Sequence, residues 1–409
     1  MSGEPRERWP DVSDESDKLP IIAVVGATAS GKSLLADTLA LRMQGEIISA
    51  DSMQVYQGMD IGTAKTPIDE RSVPYHGIDL VSPDVAFTAA LYQRYARAAI
   101  AEIQSRRKSV IFCGGTGLYL RAALDDFTLD EQRESSIDDS LSKNSVSLQR
   151  DDSSDDSSLN SSNSASLMSD SSLSEQHLDS SSSYMLSRSS SVDSRMSEID
   201  QHPDNALRER LNAQALEFGA KAFHELLAKQ DPDSAALIHP NNQRRVVRAF
   251  ELLEQGLSYA QVSAGFTRYE SLYPAQYIGL EVERELLYQM IDMRVDAMIT
   301  AGLLGEVQVL ISEGFADALT ASQAIGYRQL VSVLAGQSTL KEALEAIKQA
   351  TRRYAKRQLT WFRRDPRITW VEVSDLHQAH LAGELDRDEL ASLMLSRTMA
   401  VLQLPGVQG

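Results

Sequence analysis

Short apolar runs and amphipathic stretches alternate along most of this chain. The runs at 21–25, 45–49, 109–113, 277–282 and 368–371 are typical of buried strands, because each is short and is bounded by glycine or polar residues. The stretches between them place apolar residues three or four positions apart, which is the period of a helix. This alternation predicts an α/β fold with a parallel sheet flanked by helices.

Helical spacing continues after the fourth strand in a helix-rich second half. A pair of helical stretches near 207–227 predicts a small excursion from the sheet. The segment 53–84 is rich in glycine, proline and polar residues, and it predicts a long loop of the kind that often binds ligands. The helical spacing lies at 34–40, 88–104, 207–227, 285–300, 303–313, 322–334 and 340–364.

These patterns divide the chain into six expected segments. The first is a disordered, charged tail, the third is a disordered insertion, and the last is a short helical end after the final strand. The two parts of the core surround the insertion and a small helical domain. The boundaries are 1–18 for the tail, 19–128 for the first part of the core, 129–201 for the insertion, 202–236 for the helical insertion domain, 237–373 for the second part of the core and 374–409 for the end.

The negative charge of the chain is concentrated in the expected insertion. The formal net charge is −18, and 18 acidic but only 5 basic residues lie between Asp125 and Asp204. Residues 151–200 include 22 serines, so this stretch buries too little apolar surface to offset the entropy of ordering it. The remainder of the chain is nearly balanced, and a local basic face on it could therefore bind a polyanion.

The sequence contains a single cysteine, Cys113, which excludes an internal disulfide and gives no zinc cluster. No apolar run reaches the length of a membrane span or of a signal peptide. We therefore expect a cytoplasmic protein that does not enter a membrane and that acts as a monomer.

A phosphate-binding loop follows the first predicted strand. The spacing G-x-x-x-x-G-K-S between a strand and a helix is that of a P-loop, whose backbone N–H groups surround a phosphate at the positive end of the helix dipole. Lys32 adds a positive charge and Ser33 a hydroxyl ligand for Mg²⁺. The motif does not define which phosphorylated molecule is bound. Its residues are Gly26, Ala27, Thr28, Ala29, Ser30, Gly31, Lys32 and Ser33.

Polar residues follow two other strands at the edge of the sheet where the P-loop lies. Asp51 comes after the second strand, and it faces the P-loop if the sheet is parallel, unless it serves only as a cap or turn former. The strand at 109–113 ends in Gly-Gly-Thr, where many P-loop ATPases carry an aspartate that supports Mg²⁺. Thr116 offers a hydroxyl there, although the glycines could simply permit a tight helix start.

Basic residues recur on two helices of the second half. Arg244 and Arg248 are four positions apart and share one helix face, next to a cap formed by Asn241 or Asn242; they suit phosphate groups but could also be solvated. The stretch 352–364 interleaves six cations with three aromatic residues, a mixture that offers charge for a phosphate backbone and faces for stacking.

Six motifs in this order resemble the tRNA dimethylallyltransferase family. The resemblance covers roughly residues 21–370 and is interrupted by the acidic insertion. It implies a P-loop fold with a helical insertion domain. It also implies transfer of a dimethylallyl group from dimethylallyl diphosphate to N6 of the adenosine on the 3′ side of the anticodon. The motifs are GATASGKS at 26–33, ISADS at 48–52, MDIGTAK at 59–65, GGTGLY at 114–119, AIGYR at 324–328 and RYAKRQLTW at 353–361.

The resemblance also implies roles for individual residues. The P-loop would hold the diphosphate with Mg²⁺ near Ser33 and with help from Arg244 or Arg248, Asp51 would act as general base, and Thr116 would orient the adenine amine. The motifs imply contacts with the tRNA anticodon stem-loop by Asp51, Ser52, Met53, Gln54, Arg208, Gln243, Arg244, Arg245, Val246, Val247, Gln323, Ala324, Ile325, Gly326, Tyr327 and Arg328.

Two departures and two alternatives accompany this interpretation. The acidic insertion precedes Arg208 and would repel tRNA near the binding cleft, while the lack of a cysteine/histidine tail indicates the bacterial type.

A small-molecule or nucleotide kinase would use ATP in the same loop, but the Gly-Gly-Thr motif fits it poorly. A non-catalytic RNA-binding module would not need Lys32, Ser33 and Asp51 together.

Overall fold

The computed structural model describes residues 19–126, 129, 205–265, 268–315, 318 and 320–402. The predicted disordered segments at 1–18 and 129–201 therefore lie almost entirely outside the described residues. In this part of the chain, six strands form one parallel sheet with the order β3-β2-β4-β1-β5-β6, as the alternating pattern predicts. The strands are β1 (Ile21–Gly26), β2 (Glu46–Ser49), β3 (Tyr75–His76), β4 (Val110–Cys113), β5 (Ala275–Glu281) and β6 (Ile368–Glu372).

Helices cover both faces of the sheet, and each face has its own apolar core. One core contains Phe112 and Tyr277, and the other contains Leu35 and Ile278. The helices of the sheet layer are α1 (Lys32–Arg42), α2 (Ala89–Ser105), α3 (Gly117–Leu124), α9 (Arg284–Thr300), α10 (Leu303–Ser312), α11 (Tyr327–Leu334), α12 (Leu340–Phe362), α13 (Ser374–Leu381) and α14 (Arg387–Val401); those of the helical excursion are α4 (Asn205–Phe218), α5 (Ala220–Gln230), α6 (Pro232–Leu237), α7 (Gln243–Glu254) and α8 (Tyr259–Gly265).

Two of the places where the structure differs from the pattern-based prediction are 53–84 and 322–334. The predicted loop at 53–84 contains the edge strand β3, which pairs with Ile47 and Ile48 of β2. The helix predicted at 322–334 is a short 3-10 turn followed by α11, because Gly326 at the N-cap has a φ of 97°, which is outside the helical region.

The helices α4 to α8 surround a separate apolar cluster. This cluster includes Leu211 and Phe223, and also Val246 and Phe250 of α7. The predicted boundary at 236 assigns α7 to the second part of the core, yet its apolar face packs with the helices before that residue. The side chain of Asn242 caps α7 by accepting a hydrogen bond from the Arg245 N–H at 3.4 Å.

The C-terminal helices α13 and α14 pack beneath the P-loop. Leu376, Leu390 and Met394 join the core on the α1 side of the sheet. Within the described residues, no single helix is long and apolar enough to span a membrane; α9 and α10 meet the length and composition criteria only as a pair bent by 60°.

Candidate active site

The loop between β1 and α1 adopts the conformation that a P-loop requires. Gly31, at the N-cap of α1, has a φ of 85°, and Gly26 has a φ of 146°. These are conformations that glycine adopts without strain. The ammonium of Lys32 donates a 2.5 Å hydrogen bond to the carbonyl of Ala27, across the loop. Burial lowers the pKa of Lys32 to about 8.

Two serine hydroxyls, those of Ser30 and Ser33, belong to the loop and the start of α1. The Ser30 hydroxyl is buried and has no hydrogen-bond partner within the described part of the chain. Ser33 interacts with the thiol of Cys113 at the end of β4, and burial raises the pKa of that thiol to about 11. Cys113 is therefore a neutral neighbour of the P-loop.

A cavity of about 340 Å³ opens beside the P-loop and extends toward α9 to α12. Its lining includes the charged residues Lys32 and Asp51 and the apolar residues Ile291 and Ile347. Its lining residues are Thr28, Lys32, Ser33, Asp51, Ser52, Met53, Gln54, Gly62, Thr63, Ala64, Cys113, Gly114, Gly115, Ile291, Arg294, Val295, Met298, Leu303, Gln323, Ala324, Ile325, Gly326, Tyr327, Ile347, Thr351, Tyr354, Arg357 and Gln358.

Asp51 lies in this cavity at the end of β2. One carboxylate oxygen accepts a 2.9 Å hydrogen bond from the N–H of Met53, which turns the chain away from the strand. The negative charge of Asp51 raises the pKa of both Lys32 and Arg294, against the larger effect of burial. The carboxylate and the two cations therefore interact electrostatically within one site.

Thr116 holds the turn that carries Asp51. Its hydroxyl accepts a 3.0 Å hydrogen bond from the N–H of Ser52 and lies 3.3 Å from the Ser52 hydroxyl. Its own N–H donates to the carbonyl of Ala50 at 3.0 Å. Thr116 is not among the residues that line the cavity. The structure therefore places its hydroxyl where it orients the Asp51 turn, and its expected role in orienting a bound amine remains a prediction.

The Gly-Gly-Thr segment lies against its neighbours too closely for any side chain. A Cβ at Gly114 would lie 2.2 Å from the carbonyl oxygen of Ala50. A Cβ at Gly115 would lie 1.9 Å from the Gln358 amide nitrogen. The two glycines therefore bring the ends of β2 and β4 together and admit a side chain from α12.

Gln358 is a site residue to which the sequence pattern assigned no role. Its side-chain oxygen accepts a 2.9 Å hydrogen bond from the N–H of Thr28, and its amide nitrogen donates a 3.0 Å bond to the carbonyl of Gly115. The side chain is buried and connects the P-loop to the end of β4 from a position 330 residues away.

Arg294 on α9 is the second residue that the sequence pattern missed. It lines the cavity beside Lys32 and also a second cavity of about 350 Å³ on the side of α13 and α14. Burial lowers its pKa. Among the described residues it makes no ion pair or hydrogen bond, so its guanidinium is available to a ligand. The helical period places Arg294 on the same face of α9 as the apolar residues Ile291 and Met298. This spacing is the sequence signal that could have identified Arg294 as a partly buried residue.

Arg244 and Arg248 lie elsewhere. Both are exposed on α7, in the separate helical cluster, and neither lines a cavity with the P-loop. The guanidinium of Arg248 pairs with Glu251 at 3.1 Å. The structure does not bring these arginines to the phosphate loop, because the apolar face of α7 packs against α4 and α5.

The residues expected to contact tRNA fall into two groups. Ser52, Met53 and Gln54 line the cavity together with the stretch from Gln323 to Tyr327. Gln54 is held in place, because its oxygen accepts a 2.7 Å bond from Ser49 and its nitrogen donates to the carbonyls of Thr63 and Ala64 at 3.2 and 3.4 Å.

The second group lies outside the cavity. Arg328 is exposed on α11, and Arg208 pairs with Glu251 at 2.7 Å on the helical cluster. Gln243, Arg244 and Arg245 are at least partly exposed at the start of α7. The side chains of Val246 and Val247 are 1% and 3% exposed, so they support the helix rather than offer a contact surface.

This fold and site define an enzyme of the P-loop class, in which a phosphate-binding loop and a carboxylate share one cavity. The chain matches the IPP transferase family model over residues 54–164 and 185–365. The chain therefore belongs to the IPP transferase family, in agreement with the resemblance seen in its motifs.

Individual relatives cover most of the chain. A tRNA dimethylallyltransferase of Geobacter metallireducens is 40% identical over 362 residues, which are 88% of this chain and 94% of the relative. The tRNA dimethylallyltransferase 2 of Geotalea uraniireducens is 38% identical, with 88% and 95% covered. The crystal structure of the full-length tRNA isopentenylpyrophosphate transferase from Bacillus halodurans is 34% identical, with a TM-score of 0.52 and 92% and 99% covered.

Proposed function

We propose that this protein transfers a dimethylallyl group from dimethylallyl diphosphate to N6 of the adenosine on the 3′ side of the tRNA anticodon. The observation that carries the proposal is the position of Asp51 in the same cavity as Lys32, Ser33 and Arg294. A base and a set of anion-binding groups in one cavity suit a reaction in which a proton and a diphosphate leave together. The names of the bacterial relatives support the same substrate pair.

The P-loop holds the diphosphate of the prenyl donor. The N–H groups at the start of α1 and the cations of Lys32 and Arg294 stabilise the negative charge that builds up on the departing diphosphate. The unpartnered Ser30 hydroxyl is a further donor inside the loop. Arg294 thus provides the arginine contact to the diphosphate that the sequence predicts for Arg244 or Arg248.

Mg²⁺ fits this site through Ser33. The Ser33 hydroxyl lines the cavity, whereas no group of three or more His, Cys, Asp or Glu side chains in the described residues could hold a metal. Diphosphate oxygens and water would therefore complete the coordination, as is usual for Mg²⁺. A bound Mg²⁺ supplies further neutralisation of the leaving group.

Asp51 accepts the proton from the attacking amine. The adenine N6 forms a bond to the terminal allylic carbon while the bond between that carbon and the diphosphate oxygen breaks. The N6 proton passes to the Asp51 carboxylate, and the electron pair of the broken bond leaves with the diphosphate. Thr116 and the Met53 N–H fix the turn and thereby the direction of the carboxylate.

The adenosine enters between two walls of the cavity. One wall is the turn from Ser52 to Gln54, and the other is the stretch from Gln323 to Tyr327. A base stacked in the anticodon loop must flip out to reach this position, and contacts with the rest of the loop offset that cost. The exposed side chains of Trp361, Arg353 and Lys356 on α12 are available for such contacts. We propose that the protein acts on tRNA in the cytoplasm, as a monomer.

Incubation with labelled substrates tests the proposal against its main alternative. Unmodified tRNA is mixed with the protein and with either dimethylallyl diphosphate labelled in the allyl group or ATP labelled in the γ-phosphate. We expect label from the first donor in tRNA and none from ATP. Phosphate transfer from ATP to any acceptor, without prenylated tRNA, would support a kinase instead. Binding of tRNA with neither transfer would support an RNA-binding module.

A further inference from the structure

The carboxylate of Glu306 on α10 gathers four hydrogen-bond donors from two distant parts of the chain. Three consecutive backbone N–H groups, those of Asp60, Ile61 and Gly62, donate to it at 3.0, 2.7 and 3.2 Å. The hydroxyl of Tyr327 donates to it at 2.5 Å. We name this arrangement the Glu306 clamp; none of the motifs that carry the family resemblance includes Glu306.

The loop held by the clamp forms part of the substrate cavity. Gly62, Thr63 and Ala64 line that cavity. The carbonyls of Thr63 and Ala64 also accept the amide hydrogens of Gln54, whose side chain lines the same wall. The position of the loop therefore determines the direction in which Gln54 presents its amide.

The clamp also brings Tyr327 into contact with this loop. The Tyr327 ring lies so close to Gly62 that a Cβ there would be 2.4 Å from a ring carbon. Tyr327 is fully buried at the start of α11, and burial together with the nearby Glu306 charge raises its pKa, so the phenol stays protonated as a donor. Glu306 thus joins Tyr327, in one wall of the proposed adenosine site, to the loop that holds Gln54 of the other wall.

The other end of the loop has its own attachment. The ammonium of Lys65 binds the carbonyl of Tyr56 at 2.6 Å and the carboxylates of Asp60 and Asp79 at 2.7 and 2.5 Å. Because this attachment holds Asp60 and Lys65 and does not involve α10 or α11, a change at Glu306 frees the residues between them, 61–64, to shift. The loop does not have to unfold when the clamp is lost.

We propose that Glu306 is a positioning residue for tRNA: it fixes the loop at 60–64 and, through that loop, orients Gln54 at the wall that receives the adenosine. This inference rests on the proposed function and assigns a role outside the catalytic groups. Glu306 does not line the cavity, so it acts through the loop and not by touching the substrate.

Glu306→Gln is the test variant, and Glu313→Gln is its matched control. A glutamine keeps the shape but offers one acceptor oxygen and an NH₂ group that faces backbone donors. Glu313 is an exposed residue at the end of the same helix and takes no part in the clamp. Tyr327→Phe is a second variant, which removes one donor and leaves the three backbone bonds.

Steady-state kinetics separate positioning from general damage. For Glu306→Gln we expect the KM for tRNA to rise about tenfold, as the loss of one charge-assisted hydrogen bond predicts, while the KM for dimethylallyl diphosphate stays within about twofold. Combining Glu306→Gln with Gln54→Ala should add little to either single change, because both act through the same contact. Equal rises in both KM values, or strictly additive effects of the two substitutions, would overturn the proposal.

Amide hydrogen exchange tests the clamp without relying on catalysis. In the free protein, the N–H groups of residues 60–62 should exchange at least about tenfold faster in Glu306→Gln than in wild type or Glu313→Gln. Unchanged exchange at these residues would refute the clamp. Faster exchange in a protein whose wild type does not prenylate tRNA would instead refute the proposed function while leaving the clamp intact.

Discussion

At the scale of single residues, the site depends on charges placed within one cavity. Asp51 is the only carboxylate among the described lining residues, and Lys32, Arg294 and Arg357 are the cations. Burial lowers the pKa of Lys32 and Arg294, which means that their charged forms are less stable without an anion. A bound diphosphate compensates for this cost, so the site favours an anionic ligand.

Asp51→Asn tests the general base. The amide preserves the size of the side chain but cannot accept the amine proton, so prenyl transfer should fall by about 10²- to 10⁴-fold. Affinity for tRNA should stay within a few-fold. Single-turnover rates and filter binding with the same tRNA measure the two quantities, and an equal loss of both would contradict the assignment of Asp51 as base.

Arg294→Ala and Arg244→Ala distinguish the two candidate diphosphate ligands. The first removes a cation beside Lys32 and should raise the KM for dimethylallyl diphosphate by about tenfold or more, a typical effect of losing a charged hydrogen bond. The second removes a cation from α7 and should leave this KM unchanged within error. If only Arg244→Ala raised the KM for dimethylallyl diphosphate, Arg244 on α7 and not Arg294 would be the diphosphate ligand.

Lys32 predicts a specific pH dependence. Its pKa in the free protein is about 8, so the protonated form that binds diphosphate decreases as the pH rises above that value. The kcat/KM for dimethylallyl diphosphate should therefore decline by up to about tenfold per pH unit above about pH 8. In Lys32→Arg, whose side chain stays charged, the residual activity should lack this decline. If the decline persists in this variant, a group other than Lys32 causes it.

At the scale of elements, the site is built where two strands end and one helix crosses them. The ends of β2 and β4 meet at Gly114, and the side chain of Gln358 on α12 joins the P-loop to Gly115. Below the loop, His377 of α13 lies 3.2 Å from the carbonyl of Ser30. The C-terminal helices, which we predicted as an ordinary end, therefore support the phosphate site.

Gln358→Ala tests the connection made by α12. Removal of the amide leaves the Thr28 N–H and the Gly115 carbonyl without their partner, which should destabilise the fold by about 1–3 kcal/mol and raise the KM for dimethylallyl diphosphate several-fold. Gln349→Ala, an exposed position on the same helix, is the control and should change neither. Thermal unfolding with and without inorganic diphosphate is the measurement; equal behaviour of the two variants would contradict the role of Gln358.

At the scale of the whole molecule, one parallel sheet carries two apolar cores, and the reaction site lies beyond the carboxyl ends of its strands. This is where ligands bind in open α/β sheets. Among the residues that the structure describes, those that line the cavity beside the P-loop fall within 28–64, 113–115 or 291–358. The family match omits residues 165–184, inside the serine-rich segment.

Deletion of residues 141–195 tests whether the acidic segment takes part in catalysis. Because every described residue that lines the cavity lies outside 141–195, we expect kcat/KM for both substrates to stay within about twofold of wild type, the usual range for surface changes away from a site. Purified deletion protein with an unchanged melting temperature but a tenfold lower kcat/KM for tRNA would show that the segment contributes to function.

Local patterns were sufficient for much of this protein. The G-x-x-x-x-G-K-S loop, the alternation of strands and helices and the six motifs predicted the P-loop fold and the family, and both predictions are confirmed. These features are encoded by neighbouring residues, because hydrophobic period and glycine placement act over a few positions. The assigned roles of Asp51, Thr116 and the tRNA-contacting residues remain predictions.

Only the tertiary structure decided which distant side chains share the site. Arg294, Gln358 and Glu306 reach the P-loop or its neighbouring loop from more than 240 residues away, whereas Arg244 is exposed on α7, which packs in a different cluster. A sequence shows that an arginine lies on a helix but not toward which partner that helix packs. That direction depends on the apolar contacts of the whole helix, and it determines which cation lies in the cavity beside the P-loop.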